Sequence, residues 1–371
     1  MALFRPSPLP VLLTLGGWLG CAAAGWPQTA PAELETYSDL VEVSEVSLDV
    51  LATDASGASV PGLGPADFEV LENGQPVELT GVSWASNRYE GDPSSGGAEL
   101  GASLPASRYL IFFFHDQSAF AAAGNALLRQ QLQAGRDAVR WVETEMAPSD
   151  WAAVVGYDVE LRLHQDFTQD REALVRALER VAAGKKPEEF LPSRREARGR
   201  GRELSILSRL GEGGRQASSA RPQNVYEALR QVAAASGYLV GRKLLLLYTV
   251  GFGKQLGRTT VPDPRYFPQL ETELNDHNVA VYPLDLSPAG RPPMEEDFLA
   301  ELASSSGGAY DPNISGFLRP LEAIAAANTG YYLLTYRSAR QAGEIGYQRV
   351  EVRARDGKIR VLARRGYRYG L

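Results

Sequence analysis

Cysteine and histidine are nearly absent from this chain. Its 371 residues include one cysteine, Cys21, and three histidines, His115, His164 and His277. A zinc cluster of cysteine and histidine ligands is therefore excluded, and so is a disulfide within the chain, which needs two cysteines. A thiol-based catalytic mechanism is unattractive for the same reason.

Basic residues are fewer than acidic residues, 38 against 45, so the formal net charge is -7 at pH 7. This balance gives no sign of a nucleic-acid partner, since such partners usually meet a basic surface. No apolar run is long enough to predict a membrane span. The apolar and charged fractions, 44% and 22%, are typical of a globular protein, and the length suggests roughly two domains.

Residues 1–24 are predicted as a signal peptide. Arg5 precedes the short apolar stretch LPVLLTLGGWLG, and the small residues CAAAG follow it. Cleavage after Ala24 would fit the usual preference for small residues, whereas Cys21 lies where a bacterial lipoprotein carries its lipid. We predict an exported protein of the periplasm or the cell surface, with a lipid anchor at Cys21 left open.

Alternating apolar residues appear near both ends of the chain. From Val46 they occupy every second position, the period of a half-buried strand, and Asn73-Gly74 predicts a hairpin. The later stretches YYLLTY, YQRVEVRAR and KIRVLARRGYRY alternate as well, with RDGK as a hairpin turn. We predict that an N-terminal β unit, residues 40–86, packs on a C-terminal β unit, residues 330–371, as one β-sandwich.

The middle of the chain has the pattern of an α/β domain. Residues 87–106 are rich in Gly, Ser and Pro and are predicted as a linker. Beyond them, YLIFFF, WAAVVGY, RKLLLLYTV and VAVYPLDL have the composition of buried strands, and stretches such as REALVRALERVA have helical spacing. We therefore predict a doubly wound parallel sheet over residues 107–329, inserted in the β-sandwich.

Residues 185–223 interrupt this alternation of strands and helices. Arg, Glu, Gly and Ser dominate the segment, which predicts a long solvated insertion of low complexity. A basic docking segment and a solvated helix are the alternatives.

Several motifs together resemble a known family. A buried strand that ends in Asp-x-Ser, the helical NVYEAL and the stretch GRKLLLLYTVGFG resemble the von Willebrand factor type A fold. From about Val43 onwards, DASGASVPGLGPADFEVLENGQPV, SSSGGAY and the closing RRGYRY resemble the acidobacterial proteins related to that family. The resemblance implies a Rossmann-like domain of a bacterial protein, whose ligands bind at the carboxyl ends of the parallel strands.

The family's usual device at that edge is a metal-ion-dependent adhesion site. It uses an Asp-x-Ser-x-Ser loop, a threonine before a later helix and an aspartate after the next central strand, because Mg²⁺ needs oxygen ligands in near-octahedral order. Asp116 and Ser118 fit the first two positions, but the other three are Phe120, Gln223 and Val250. We therefore predict a degenerate site that holds no metal.

Two other interpretations of these residues stay open. Asp116 and Ser118 follow a strand and precede a predicted helix, so either side chain could cap the helix. A rival metal site could use Asp116, Asp158 and Asp285, which all follow predicted strands.

Signals of catalysis are weak. A Gly-x-Ser-x-Gly elbow is absent, GYLVGRK is one residue short of a phosphate-binding loop, and GFGKQLG lacks the third glycine of a dinucleotide site. His115 and Asp116 are neighbours on a strand, so their side chains point to opposite faces and form no ready dyad. His164 and His277 stand among polar residues and are expected at the surface. We predict no enzyme, no catalytic residue and no cofactor.

The chain is predicted to bind another protein, without a metal. Its candidate binding rim comprises Asp116, Ser118, Phe120, Gln223, Val250 and Phe252. Within this rim, Phe120, Val250 and Phe252 are predicted to form an exposed apolar patch in place of metal ligands. The alternative is a structural component of the cell envelope that uses the α/β domain as a scaffold and makes contacts through the β-sandwich or the insertion. A hydrolase with an unrecognised site is a third interpretation.

Overall fold

The computed structural model describes residues 45–86, 107–117, 124–187, 206–207, 222–257, 259–287, 296–312, 315–338 and 345–369. The strands in these residues are β1 (Glu45–Thr53), β2 (Phe68–Glu72), β3 (Gln75–Val77), β4 (Leu79–Ser86), β5 (Tyr109–His115), β6 (Trp151–Tyr157), β7 (Leu161–Thr168), β8 (Lys243–Thr249), β9 (Lys254–Leu256), β10 (Thr259–Val261), β11 (Val279–Asp285), β12 (Gly330–Arg337), β13 (Gly346–Ala354), β14 (Arg360–Ala363) and β15 (Gly366–Tyr369). The helices are α1 (Gly124–Thr144), α2 (Arg171–Ala182), α3 (Val225–Ser236), α4 (Phe267–Asp276), α5 (Glu296–Ser305) and α6 (Leu318–Ala327). Within the described ranges, no helix is both long and apolar enough to cross a membrane.

A five-stranded sheet forms the centre of the α/β part, in the order β11-β8-β5-β6-β7. β5, β6, β8 and β11 are parallel, which confirms the predicted α/β class. β7 pairs with β6 in the antiparallel direction, so the expectation of an all-parallel sheet is wrong at this edge. A mixed sheet with one antiparallel edge strand is a common variant of the doubly wound arrangement.

The apolar strand β5 is buried on both faces, as its composition predicts. Leu110, Phe112 and Phe114 belong to one hydrophobic cluster, which also contains side chains of α1, α2 and α6. Ile111 and Phe113 belong to a second cluster with side chains of α3, α4 and α5. Three helices therefore cover each face, and each fully buried Leu or Phe contributes roughly 1.5–3 kcal/mol to folding.

Two four-stranded sheets are built from both flanks of the chain. One has the order β14-β1-β12-β4, and the other has the order β15-β13-β2-β3. Val50 and Tyr332 of the first sheet share a hydrophobic cluster with Phe68 and Val350 of the second. The centroids of the Phe68 and Tyr332 rings are 5.2 Å apart and the ring planes meet at 62°, an edge-to-face contact of a favourable kind.

The last predicted strand, KIRVLARRGYRY, is two strands in the structure. β14 pairs with β1 of one sheet, whereas β15 pairs with β13 of the other. The RDGK segment is therefore no hairpin turn, because β13 and β14 do not pair with each other. In contrast, Asn73-Gly74 does connect the paired strands β2 and β3, and both residues have the positive φ that such a turn requires, 49° and 81°.

Part of the 185–223 segment lies in the core. Leu207 is fully buried in the cluster beneath α3, and its backbone N–H donates to the Asp166 carboxylate of β7 at 3.0 Å. The interpretation of the segment as solvated therefore does not hold at Leu207. The predicted signal peptide, the possible lipid anchor at Cys21 and the predicted linker lie outside the described residues.

Candidate functional site

The carboxyl ends of the parallel strands meet at one edge of the central sheet, which we call the carboxyl edge. β5 ends at His115, β6 at Tyr157, β8 at Thr249 and β11 at Asp285. Ligands of doubly wound folds bind outside such an edge. The predicted rim residues that the structure describes, Asp116, Gln223, Val250 and Phe252, are all in segments that adjoin this edge or follow its strands.

His115 forms the floor of the carboxyl edge. Its Nδ1 atom is hydrogen-bonded to Thr249 Oγ1 at 3.0 Å, and the same oxygen accepts the Gly251 N–H at 3.0 Å. Burial lowers the pKa of His115 to about 4, and the neighbouring Asp116 carboxylate offsets only part of this effect. The ring is therefore neutral at physiological pH and holds the turn after β8 against β5.

Asp116 continues the pairing of β5 beyond its last residue. Its N–H donates to the Tyr157 carbonyl at 2.8 Å, and its carboxylate faces Gly184, where an added Cβ would lie 3.0 Å from Oδ2. Gln117 then donates its side-chain amide to the Gly251 carbonyl at 3.3 Å. The described part of α1 begins at Gly124, eight positions after Asp116. Ser118 and Phe120 lie outside the described residues.

Gln223 stands immediately before the residue that caps α3. Asn224 is the N-cap, and its side chain accepts the Glu227 N–H at 3.0 Å. The Glu227 carboxylate in turn accepts the Gln223 N–H at 2.7 Å. These two bonds satisfy backbone donors at the start of the helix, which otherwise lack partners. The Gln223 side chain is exposed and extends from a fixed backbone.

Val250 and Phe252 are half-buried, so the predicted exposed patch is wrong for both residues. Val250 packs against the cluster on one face of the central sheet, and Phe252 packs against the cluster on the other. The Phe252 ring lies 4.7 Å from the Phe298 ring and 5.7 Å from the His115 ring. Gly251, with a φ of 91°, turns the chain between the two faces.

Among the described residues that follow the central strands, two exposed apolar side chains were missed by sequence reasoning. Val159 in the turn between β6 and β7 is 53% exposed, and Leu256 at the end of β9 is 62% exposed. β9 and β10 form a two-stranded hairpin after β8, which was not predicted either. β6 and β8 flank β5 in the sheet; Val159 lies in the turn that follows β6, and Leu256 lies in the hairpin that follows β8.

The carboxylates of the rival metal site do not come together. Asp158 pairs with Arg162 at 2.6 Å, and Asp285 accepts the Ser287 N–H at 2.7 Å. In the described part of the chain, no group of three His, Cys, Asp or Glu residues could hold a metal ion. The interpretation of Asp116, Asp158 and Asp285 as one metal site is therefore wrong.

The two other histidines also differ from the expectation of surface residues. His164 of β7 is half-buried, and burial, together with the nearby Arg162 and Arg180, lowers its pKa to about 4. His277 is half-buried as well, and its Nε2 atom lies 3.2 Å from the Glu273 carboxylate.

Comparisons with known proteins leave the family open. No protein-family model matches the chain, and no curated protein matches it. Among solved structures, the chain is similar to the vWF domain of the type V pili tip protein Mfa5 from Porphyromonas gingivalis, with 15% identity and a TM-score of 0.24. This match covers 39% of the present chain and 38% of the Mfa5 chain, so it spans well under half of either.

Two further structures cover more of the chain. The conserved hypothetical protein BatB from Bacteroides thetaiotaomicron is 14% identical over 60% of this chain and 96% of its own, with a TM-score of 0.31. Proximal thread matrix protein 1 from the mussel byssus, with a zinc-occupied MIDAS motif, is 12% identical over 62% of this chain and 48% of its own, with a TM-score of 0.33. At these values the likenesses carry no argument about function, and the α/β class follows from the strand order described above.

Proposed function

We propose that the protein is an exported, non-enzymatic bacterial module that binds another protein through its carboxyl edge, without a metal. In this proposal its α/β part is a von Willebrand A-related domain with a degenerate adhesion site. The observation that carries the proposal is the pair of exposed apolar side chains, Val159 and Leu256, in the segments that follow β6 and β8.

The donor set at this edge does not fit a magnesium ion. Mg²⁺ requires near-octahedral oxygen ligands. Asp116 supplies a carboxylate, but the Val250 side chain has no oxygen and packs in the apolar cluster beside it. Gln223 supplies only an amide at the position of the expected threonine hydroxyl. An apolar wall beside a dication would not compensate the ion for the water it loses.

The two exposed apolar tips favour contact with a protein surface. Contiguous exposed apolar side chains mark sites of protein interaction. The edge also has an aromatic floor, because the rings of Tyr226 and the half-buried Phe252 are 5.0 Å apart and Phe252 also contacts His115. A rigid floor reduces the entropy that is lost when a partner binds.

The proposal also states that the protein has no catalytic activity. His115, the histidine at the edge, is buried and hydrogen-bonded to Thr249, so it is badly placed to transfer a proton to a substrate. Screening against esters, phosphates and peptides tests this part, and turnover that is lost with Asp116→Ala would contradict it.

The central experiment compares the segment that follows β8 with the segment that precedes it. A photo-crosslinking residue is placed at Leu256, at the carboxyl edge, and in a matched protein at Val240, which is 74% exposed in the turn before β8. Cross-linking in intact cells should give a discrete product at position 256 and none at 240. Leu256→Asp should weaken capture of that product at least tenfold, whereas Val240→Asp should not. Equal products at both positions would refute the assignment of the edge.

A second experiment tests the metal. Calorimetry should detect no magnesium binding by the natural protein. The combined variant Phe120→Ser, Gln223→Thr, Val250→Asp should gain measurable affinity, because it restores three oxygen ligands beside Asp116. Tight magnesium binding by the unmodified protein would contradict the proposal.

One observation favours the alternative, a structural component of the envelope. Ile345 is 76% exposed and Tyr347 is 40% exposed at the start of β13, on the β-sandwich. Under this alternative, Ile345→Asp should abolish assembly while Leu256→Asp has no effect. The opposite outcome supports the carboxyl edge.

A further inference from the structure

Arg242 is a buried cation without a matching carboxylate. It lies in the turn between α3 and β8 and is 6% exposed. Its Nη2 atom donates to the Gly307 carbonyl and, at 3.3 Å, to the Tyr282 hydroxyl. Its Nε atom is buried and has no hydrogen-bond partner in the described residues. The ion pairs found among those residues do not include Arg242.

A small cavity lies beside Arg242, where the amino ends of β5 and β8 contact the β-sandwich. Its volume is about 30 Å³. Its lining comes from both parts of the fold and includes Leu51, Ser86 and Tyr331 together with Arg108 and Arg242. A water needs roughly 10–15 Å³ of such space, so the cavity has room for one or two waters or for one small ion.

The charges around the cavity do not balance. Arg108, which also lines it, is matched by Asp150, with Arg108 Nε 2.8 Å from Asp150 Oδ1. The Asp49 carboxylate accepts a hydrogen bond from the side-chain amide of Asn278. It also raises the pKa of two other cations, Lys243 and Arg364, so its negative charge is shared and does not neutralise Arg242 alone.

Lys243, the next residue along the chain, is buried as well. Burial is the main cause that lowers its pKa to about 8, while Asp49 raises the pKa and the Arg364 guanidinium lowers it. A buried charge without a partner costs several kcal/mol unless a counter-ion or a hydrogen-bond network compensates it.

We propose that this cavity binds one small monovalent anion, of the size of chloride or bromide, as the counter-ion of Arg242. The ion would lie between the guanidinium groups of Arg242 and Arg108. Because the lining includes residues of β1, β4 and β12 as well as the residues that precede β5 and β8, the ion joins the β-sandwich to the α/β part. This site is separate from the carboxyl edge and does not depend on the function proposed for that edge.

The first test measures thermal unfolding of the full chain in sodium chloride and in sodium gluconate at equal ionic strength. Gluconate is too large for the cavity. The midpoint should rise with chloride, by about 2 °C for each tenfold increase in concentration beyond Kd, and it should stay constant in gluconate. Equal midpoints in the two salts would overturn the proposal.

Variants assign the effect to the cavity. Arg242→Met removes the charge and should abolish the difference between chloride and gluconate. Arg365→Met is the matched control, because Arg365 pairs with Glu301 outside the cavity and the difference should persist. A chloride effect that survives Arg242→Met would overturn the proposal.

A crystal soaked in bromide keeps the proposal testable if Arg242→Met fails to fold. An anomalous peak beside Arg242 in the natural protein is the expected result. A cavity that contains water only would refute the anion site, as would bromide found solely at surface positions.

Discussion

The burial of His115 predicts that acid destabilises the protein in a defined pH range. The pKa is about 4 in the folded chain and 6.5 when the group is unperturbed. As pH falls, the unfolded chain therefore takes up the proton first. The contribution of His115 to stability is complete above pH 6.5 and is lost progressively between pH 6.5 and pH 4.

The size of this effect follows from the two pKa values. One pKa unit corresponds to about 1.4 kcal/mol, so the difference between 6.5 and about 4 amounts to about 3 kcal/mol at the acid limit. The variant His115→Gln removes the titration and retains a polar group that can bond to Thr249 Oγ1. Its free energy of unfolding should therefore fall by about 3 kcal/mol less than that of the natural protein between pH 7 and pH 4.

Urea unfolding at a series of pH values measures the difference directly. His164 titrates in the same direction, since its pKa is also lowered to about 4, and His164→Gln is therefore the necessary comparison. The double variant should show the two effects added, because the histidines are on different strands. If the natural protein and His115→Gln lose stability in parallel from pH 7 to pH 4, the burial argument is refuted.

Three further substitutions test the packing by denaturant unfolding. Glu72→Ala should cost about 3 kcal/mol or more, because this buried carboxylate accepts from the hydroxyls of Tyr336, Tyr367 and Ser338, while Glu72→Gln should cost less. Leu207→Ala should cost roughly 2–5 kcal/mol if the segment is anchored in the core, and a loss below about 0.5 kcal/mol would show that it is not. Gly308→Ala should destabilise strongly, because its Cβ would lie 1.9 Å from the Val281 carbonyl oxygen, whereas Gly357→Ala meets no atom within 4 Å and should be nearly neutral.

The sequence predicted the strands and helices whose periodicity is strong. β5 and β8 are apolar on both faces, and the helical spacing of REALVRALERVA corresponds to α2, which Asp170 caps. β7 was missed because an edge strand with half-buried residues carries a weak pattern. α4 was missed as well, although Phe267, Leu270 and Leu274 have helical spacing and are buried.

The site was predicted less well, because turns decide which way a side chain points. The resemblance implies an aspartate at the position of Val250, but the sequence does not show that Gly251 directs Val250 and Phe252 to opposite faces of the sheet. The exposed Leu256 depends on the β9–β10 hairpin, whose strands have three residues each. Strands that short leave almost no periodic signal.

The point at which the chain passes from the flanking sheets to the α/β part and back has a mechanical consequence. β4 ends at Ser86 and β12 begins at Gly330, and the register places these two residues opposite each other. Tension applied to β1 and β15 would therefore pass from strand to strand through the two flanking sheets and bypass the residues between 86 and 330. The inserted part would remain unloaded until the bonds between β4 and β12 shear.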